Sequence, residues 1–446
     1  MKKKLLSFFC LLLSSTTLLC ACKGNAESTS SIGSASAGST DSMANNVSET
    51  ESISSAENPT SSLAVESGSS ITSSQNVKPP SPVKKNKLYG IDSLLSRKKE
   101  VAISEAATLI NSLGAGSVRD VMNCDEVLSD PKTVNPTGAK YFHDLYSSLN
   151  FYGVEIVTLN AAWFLPDGTI SYDKVPKRDT TPGSAYMKFL EDYKQTWKTL
   201  AKEFPEVTHW EMGNEMNHTA PAPMAGGTYT LMEKADITTD MIYYAHQGIK
   251  EGNPAAVTIF PGMAPVDGIN GPTTTDYLTR VYENIKSGKF GSKKTTDFFD
   301  AMAWHPYWPF TCPDKKWVEE NHTLYRIMQK YGDGNKKVYL TEAGFRDDRN
   351  VDTDKKQAPW IPIMYDLVEK NMPYVESLHY YWLFNHGELD PYGLMNEPSE
   401  GYSAKEKGLA YQKMTGGTGD LNRYVIKWSD YKSGDNIALR VPVTAS

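Results

Sequence analysis

Glu215 closes the run Trp210-Glu211-Met212-Gly213-Asn214-Glu215, and Glu342 closes Val338-Tyr339-Leu340-Thr341-Glu342. In both places a short run rich in apolar and aromatic residues stops and a glycine-containing loop begins. A barrel strand hands a side chain to an active-site face at such a junction. Two carboxyl groups delivered that way suit acetal cleavage, in which one donates a proton and the other attacks or activates water. Most glutamates are exposed surface acids, so the neighbouring residues must carry the case.

Those carboxyl groups need a frame to hold them. Strand-like runs occur at Lys87–Ile91, Ser117–Val121, Val154–Leu159, Val207–Gly213, Val257–Gly262, Phe298–Trp304, Lys337–Glu342 and Leu378–Trp382. Helical periodicity fills most of the intervals. The clearest stripe is Tyr186, Phe189, Leu190, Tyr193, Trp197, Leu200, Ala201 and Phe204, and Val101, Ala102, Ala106, Leu109, Ile110 and Leu113 form another. Strands recurring every roughly 30 to 53 residues with helices between them leave a (β/α)8 barrel or a doubly wound sheet, and eight runs favour the barrel. A last helix is expected over Lys405–Met414. Beyond it, Arg423–Trp428 and Asn436–Val443 read as a small β-hairpin, too short to stand alone.

The predicted organisation is a leader over 1–21, a linker over 22–85, a barrel over 86–418 and a C-terminal β extension over 419–446. Lys2, Lys3 and Lys4 form a basic start, and Leu5–Leu19 is apolar but short and interrupted by Ser and Thr, as in an export signal. The tetrapeptide Leu19-Cys20-Ala21-Cys22 resembles a bacterial lipobox, which implies cleavage before Cys22 and lipidation there. Two acyl chains on one thioether suffice for stable anchoring, so the expected location is extracytoplasmic, on the membrane surface. The linker is rich in Ser, Thr, Ala, Gly, Asn and Glu and nearly devoid of large apolar residues, and such a composition cannot offset the entropy of ordering.

Charge narrows the partners. The chain has 46 Lys and Arg against 53 Asp and Glu, a formal net charge of −7, and losing the leader lysines makes it more acidic. No run supplies the basic footprint that nucleic acid requires. Of the five cysteines, Cys124 and Cys312 remain in the barrel segment. They follow different strands on opposite sides of it, so pairing is not expected. His209, Glu211, Glu215 and His218 invite a metal reading, and Glu215 and His218 have helical ligand spacing. No His-Glu-x-x-His is present and the first three lie on or beside a strand, where that spacing does not apply. The expectation is a site without cofactor or metal.

Trp210-Glu211-Met212-Gly213-Asn214-Glu215 on the fourth strand, Trp304-His305-Pro306-Tyr307 on the sixth, Thr341-Glu342 on the seventh and Tyr380-Tyr381-Trp382 on the eighth together resemble clan A glycoside hydrolases. Within the clan the chain is most similar to families 39 and 5, and Asp390-Pro391-Tyr392-Gly393-Leu394 followed by a helix is also similar to family 39. Met216 departs from the pattern, because family 5 and many family 39 members have proline there. The resemblance implies a retaining hydrolase of β-glycosidic bonds with Glu215 as acid/base and Glu342 as nucleophile. It further implies Asn214 on the sugar 2-hydroxyl, Arg119 and Tyr307 beside Glu342, His305 near the sugar or the acid/base, and Trp382 as a floor under the sugar. Trp163, Phe164, Trp308 and Phe345 are offered as linings of outer subsites. In that scheme Glu215 rests protonated with a raised pKa while Glu342 is ionised. The alternative is a non-catalytic glycan-binding lipoprotein on the same scaffold.

Overall fold

The computed structural model describes residues 85–99, 101–218, 229–266, 271–386, 390–397 and 403–421. The leader, Cys22, the linker before residue 85 and both C-terminal strand-like pieces lie outside the described residues. Eight strands follow one another in parallel: β1 Tyr89–Asp92, β2 Ser117–Val121, β3 Glu155–Leu159, β4 His209–Glu211, β5 Val257–Ile259, β6 Met302–Trp304, β7 Val338–Ala343 and β8 Val375–Tyr381. Hydrogen bonding runs in the order β6-β7-β8-β1-β2-β3-β4-β5. Parallel bridges Ile259 to Ala301 and Met263 to Trp304 join the two ends of that order, giving a nearly closed (β/α)8 barrel.

Each strand is followed by a helix: α1 Ile103–Ser112, α2 Pro136–Phe151, α3 Ala185–Glu203, α4 Leu231–Gly252, α5 Thr274–Lys286, α6 Lys315–Lys330, α7 Trp360–Asn371 and α8 Glu406–Thr415. Local chemistry sets where they begin. Asn135 caps α2 just ahead of Pro136, whose missing N–H costs nothing in the first turn. Reciprocal capping boxes start α4 at Thr230 and Glu233 and α5 at Thr273 and Asp276. The stripe on α3 is buried as its spacing requires, and Trp197 meets Trp210 of β4 edge to face with ring centroids 5.9 Å apart. Full burial of such side chains contributes roughly 1.5–3 kcal/mol each, so the layer between strands and helices carries most of the apolar core.

The barrel interior is different. One small apolar plug of Val157, Ile259, Ala301, Ala303 and Tyr339 fills part of it. At the start of β2, Ser117 meets Ser377 of β8 at 2.8 Å between hydroxyls, and His379 lies buried beside them. Beyond that, toward the C-terminal ends of the strands, Arg119 and Glu211 occupy the interior. Two hairpins absent from the sequence reading follow β2 and β3: Leu128–Asp130 with Thr133–Val134, and Trp163–Phe164 with Ile170–Ser171.

Candidate active site

The site is built on the C-terminal ends of β1, β2, β4, β6 and β7. Strand alternation sends Val118 outward and Arg119 inward, and likewise Trp210 outward and Glu211 inward. The chain leaves β4 through Gly213 at φ 133 and Glu215 at φ 45. A left-handed backbone at a glutamate costs about 1–2 kcal/mol. Here Glu215 is held by its own N–H, which donates to the Gly262 carbonyl at 2.8 Å. On β7 the register slips: Leu340 pairs with Leu378, but Ala343 pairs with Tyr380. Three steps on β7 thus face two on β8, and the bulge turns the consecutive residues Thr341 and Glu342 to the same side.

Arg119 is the hub. Its Nε donates to Glu211 Oε2 at 2.6 Å, and Nη2 donates to Glu211 Oε1 at 3.3 Å and Asn214 Oδ1 at 2.7 Å. Nη1 donates to Asp92 Oδ2 and to Glu342 Oε1, both at 2.7 Å. All five guanidinium N–H groups are therefore engaged. Tyr307 donates its hydroxyl to the other oxygen of Glu342 at 2.6 Å. His305 bridges the two glutamates: Nδ1 lies 2.9 Å from Glu215 Oε1 and 3.7 Å from Glu342 Oε2, while Nε2 lies 3.1 Å from Thr341 Oγ1. The Glu215 side chain is 21 % exposed and that of Glu342 10 %, so both carboxyl groups stay within reach of a ligand.

Ligand atoms of Glu215, His305 and Glu342 lie within 4.8 Å of one another. That falls near the roughly 5–5.5 Å separation of retaining glycosidases and well short of the 6.5–9.5 Å inverting range. The same triplet is compact enough to hold a cation. Both Glu342 oxygens, however, already accept hydrogen bonds from Arg119 and Tyr307. The metal set suggested by sequence does not assemble, since His209 pairs with Thr208 Oγ1 at 2.8 Å and Glu211 is held by Arg119.

The resting protonation differs from expectation. Burial pushes the Glu215 carboxyl up, but the hydrogen bond and positive charge of His305, with help from His218 and Arg119, outweigh it and hold the group below its ordinary value. Burial opposes charge on His305 too, yet Glu342 and Glu215 raise its pKa. The proton expected on Glu215 is therefore shared with His305 across their 2.9 Å hydrogen bond. Asp92 is raised to about 8, by burial first and by Glu342 and Glu211, against the pull of Arg119. Its Oδ1 is buried without a hydrogen-bond partner among the described residues.

Arg119, Asn214, Glu215, His305, Tyr307 and Glu342 thus converge. Trp382 directly follows β8, stacked on Tyr381 with centroids 4.8 Å apart, in a cluster with Leu94 and Tyr392 against which Tyr307 packs. Three of the four proposed outer aromatics are buried and packed against other side chains or backbone. Trp163 and Phe164 are buried in their hairpin, where the Trp163 indole donates to the Lys174 carbonyl, and Phe345 is buried against Trp360 and Tyr380. Cys124 and Cys312 are unpaired. Asp92 is not among the residues singled out from the sequence, and Glu211 enters there as part of the fourth-strand motif and as a metal candidate, with no role beside Arg119. Their polar identities at barrel-strand ends were the available signal.

No protein-family model and no curated protein matches the chain. Solved structures do. A family 39 glycoside hydrolase from the gut symbiont Bacteroides cellulosilyticus WH2 is similar at TM-score 0.52 and 17 % identity, over 74 % of this chain and 64 % of that one. A glucosidase from Croceicoccus marinus is similar at TM-score 0.50 and 16 % identity, over 75 % and 69 %. The chain therefore spans slightly less than two thirds of the first. At such identities the similarity establishes the barrel fold.

Proposed function

We propose that this chain is a retaining hydrolase of β-glycosidic bonds in oligo- or polysaccharides. The observation that carries the reading is the close approach of Glu215 and Glu342 at the C-terminal ends of β4 and β7, with Arg119 and Tyr307 both bonded to Glu342. In the first step a Glu342 oxygen forms a bond to the anomeric carbon as the bond to the leaving oxygen breaks, and Glu215 delivers to that oxygen the proton it shares with His305. In the second, water attacks the glycosyl ester, Glu215 takes its proton, and Glu342 leaves as carboxylate. Asn214 has its amide oxygen committed to Arg119, which leaves its NH₂ to donate to the sugar 2-hydroxyl. Trp382 supplies an apolar plane for the sugar's C–H face. The likeness to glycoside hydrolase structures agrees with the barrel this chemistry uses. Export and anchoring through a lipidated Cys22 complete the proposal and rest on the sequence alone.

The test is stereochemical. Wild-type protein should release the β-anomer first from an aryl β-glycoside, read by NMR before mutarotation. Glu342→Ala should be inactive, and azide should restore turnover with an α-glycosyl azide as product. Glu215→Ala should lose about 10²- to 10⁴-fold on substrates with poor leaving groups, keep glycosyl-enzyme formation on activated ones, and yield a β-azide. First release of the α-anomer by the wild type would mean inversion and sink the assignment of Glu342 as nucleophile.

A further inference from the structure

Removing Trp163, Phe164 and Phe345 from the candidate platforms leaves the loop after β6. Phe310 on that loop is 62 % exposed, with no aromatic or cationic partner against its ring among the described residues. Single exposed apolar residues are ordinary, so placement has to carry the argument. Phe310 stands three positions after Tyr307, whose hydroxyl bonds Glu342 at 2.6 Å. Three residues of extended chain span at most about 11 Å between Cα atoms, so Phe310 is confined to the rim of the catalytic face. The loop is pinned on its other side where the Arg346 N–H donates to the Pro309 carbonyl at 3.0 Å, four residues beyond Glu342. Between these anchors Trp308 is half-buried, its indole N–H donating to Glu320 Oε2 at 2.9 Å and Lys316 Nζ lying 5.6 Å from its ring centroid. Trp308 is committed to its own helix α6, and Phe310 is bare.

We propose that Phe310 is an outer sugar platform that sets chain-length specificity, so that the preferred substrate is a saccharide extending beyond the two units flanking the cleaved bond. The inference rests on the glycosidase reading above. A phenyl ring carries no hydrogen-bonding group, and its only complement on a saccharide is the C–H face of a ring; polar selectivity stays with the inner site.

Kinetics of the full chain against 4-nitrophenyl β-glycosides, and against β-1,4-linked gluco- and xylo-oligosaccharides from disaccharide to hexasaccharide, test it. In the wild type kcat/KM should rise with length. Phe310→Ala should lose about three- to tenfold on the longer substrates through KM, leave the aryl monoglycosides unchanged, and be rescued by Phe310→Tyr. Equal losses on short and long substrates, or a length dependence preserved in Phe310→Ala, overturn the inference while the glycosidase reading stands. A wild type that turns over none of the substrates overturns both.

Discussion

One guanidinium facing three carboxylates decides how charge is divided among the site residues. Arg119 cannot neutralise Asp92, Glu211 and Glu342 together, and burial makes each uncompensated charge expensive. Asp92, with an unpartnered oxygen and a pKa near 8, is the group that keeps its proton at neutral pH. The second proton of the site belongs to Glu215 and His305 jointly, because at 2.9 Å they titrate as a pair. A raised His305 keeps that shared proton bound to a pH above the ordinary histidine value of about 6.5. His305→Ala removes the hydrogen bond and charge that hold Glu215 down, so the proton is then lost at the pKa of a buried carboxyl alone. The basic limb of the kcat/KM profile should therefore move in His305→Ala, because the proton then sits on the Glu215 carboxyl alone. An unmoved basic limb in His305→Ala would show that the shared proton is not the catalytic one.

At the scale of elements, the β7 bulge and the exit from β5 aim these groups. Gly262 on that exit accepts the Glu215 N–H, and its own N–H donates to Glu211 Oε1 at 2.9 Å. A Cβ there would lie 2.2 Å from His305 Nε2, 2.6 Å from Thr341 Oγ1 and 2.7 Å from Glu211 Oε1. None of these is the loose end of a surface side chain. Gly262→Ala should therefore displace His305 and with it Glu215. A shift on the order of 1 Å in a catalytic group costs about 10²-fold in rate. Circular dichroism should remain that of the barrel, and unchanged kcat in a folded variant would refute this account of how His305 is held. The strands themselves were legible in the sequence, since all eight apolar runs coincide with β1–β8. Their ends were less so: Phe298–Trp304 contracts to Met302–Trp304 because Phe298 and Phe299 are spent on packing ahead of the strand. The bulge was not legible. Thr341 and Glu342 share a side only because β8 offers two residues to three, a register that no local pattern encodes. The resting proton was hidden for a similar reason, since it depends on His305 lying between two glutamates from other strands.

Over the whole molecule, stability and chemistry are assigned to different layers. Aromatic packing between strands and helices builds the apolar core, which lets the interior near the strand ends hold Arg119 and its acids at little risk to folding. Neither barrel cysteine is crosslinked, so the fold does not draw on an oxidising compartment even if the chain is exported to one. Export itself hangs on Leu19-Cys20-Ala21-Cys22, and the anchoring hypothesis can be separated from catalysis by sequence position. Cys22 precedes the first barrel strand by a long Ser- and Thr-rich stretch, and none of the site residues comes from before Asp92. Cys22→Ala should therefore abolish fatty-acid labelling and lipoprotein cleavage in the cell. Turnover per molecule of the detergent-solubilised variant should match the wild type within about twofold, since substitutions far apart with no shared partners act independently. Labelling that persists in Cys22→Ala would place the lipid on another residue. A large loss of turnover would instead mean that the leader region contributes to the site, against the self-sufficiency of the barrel argued from Arg119 and its partners.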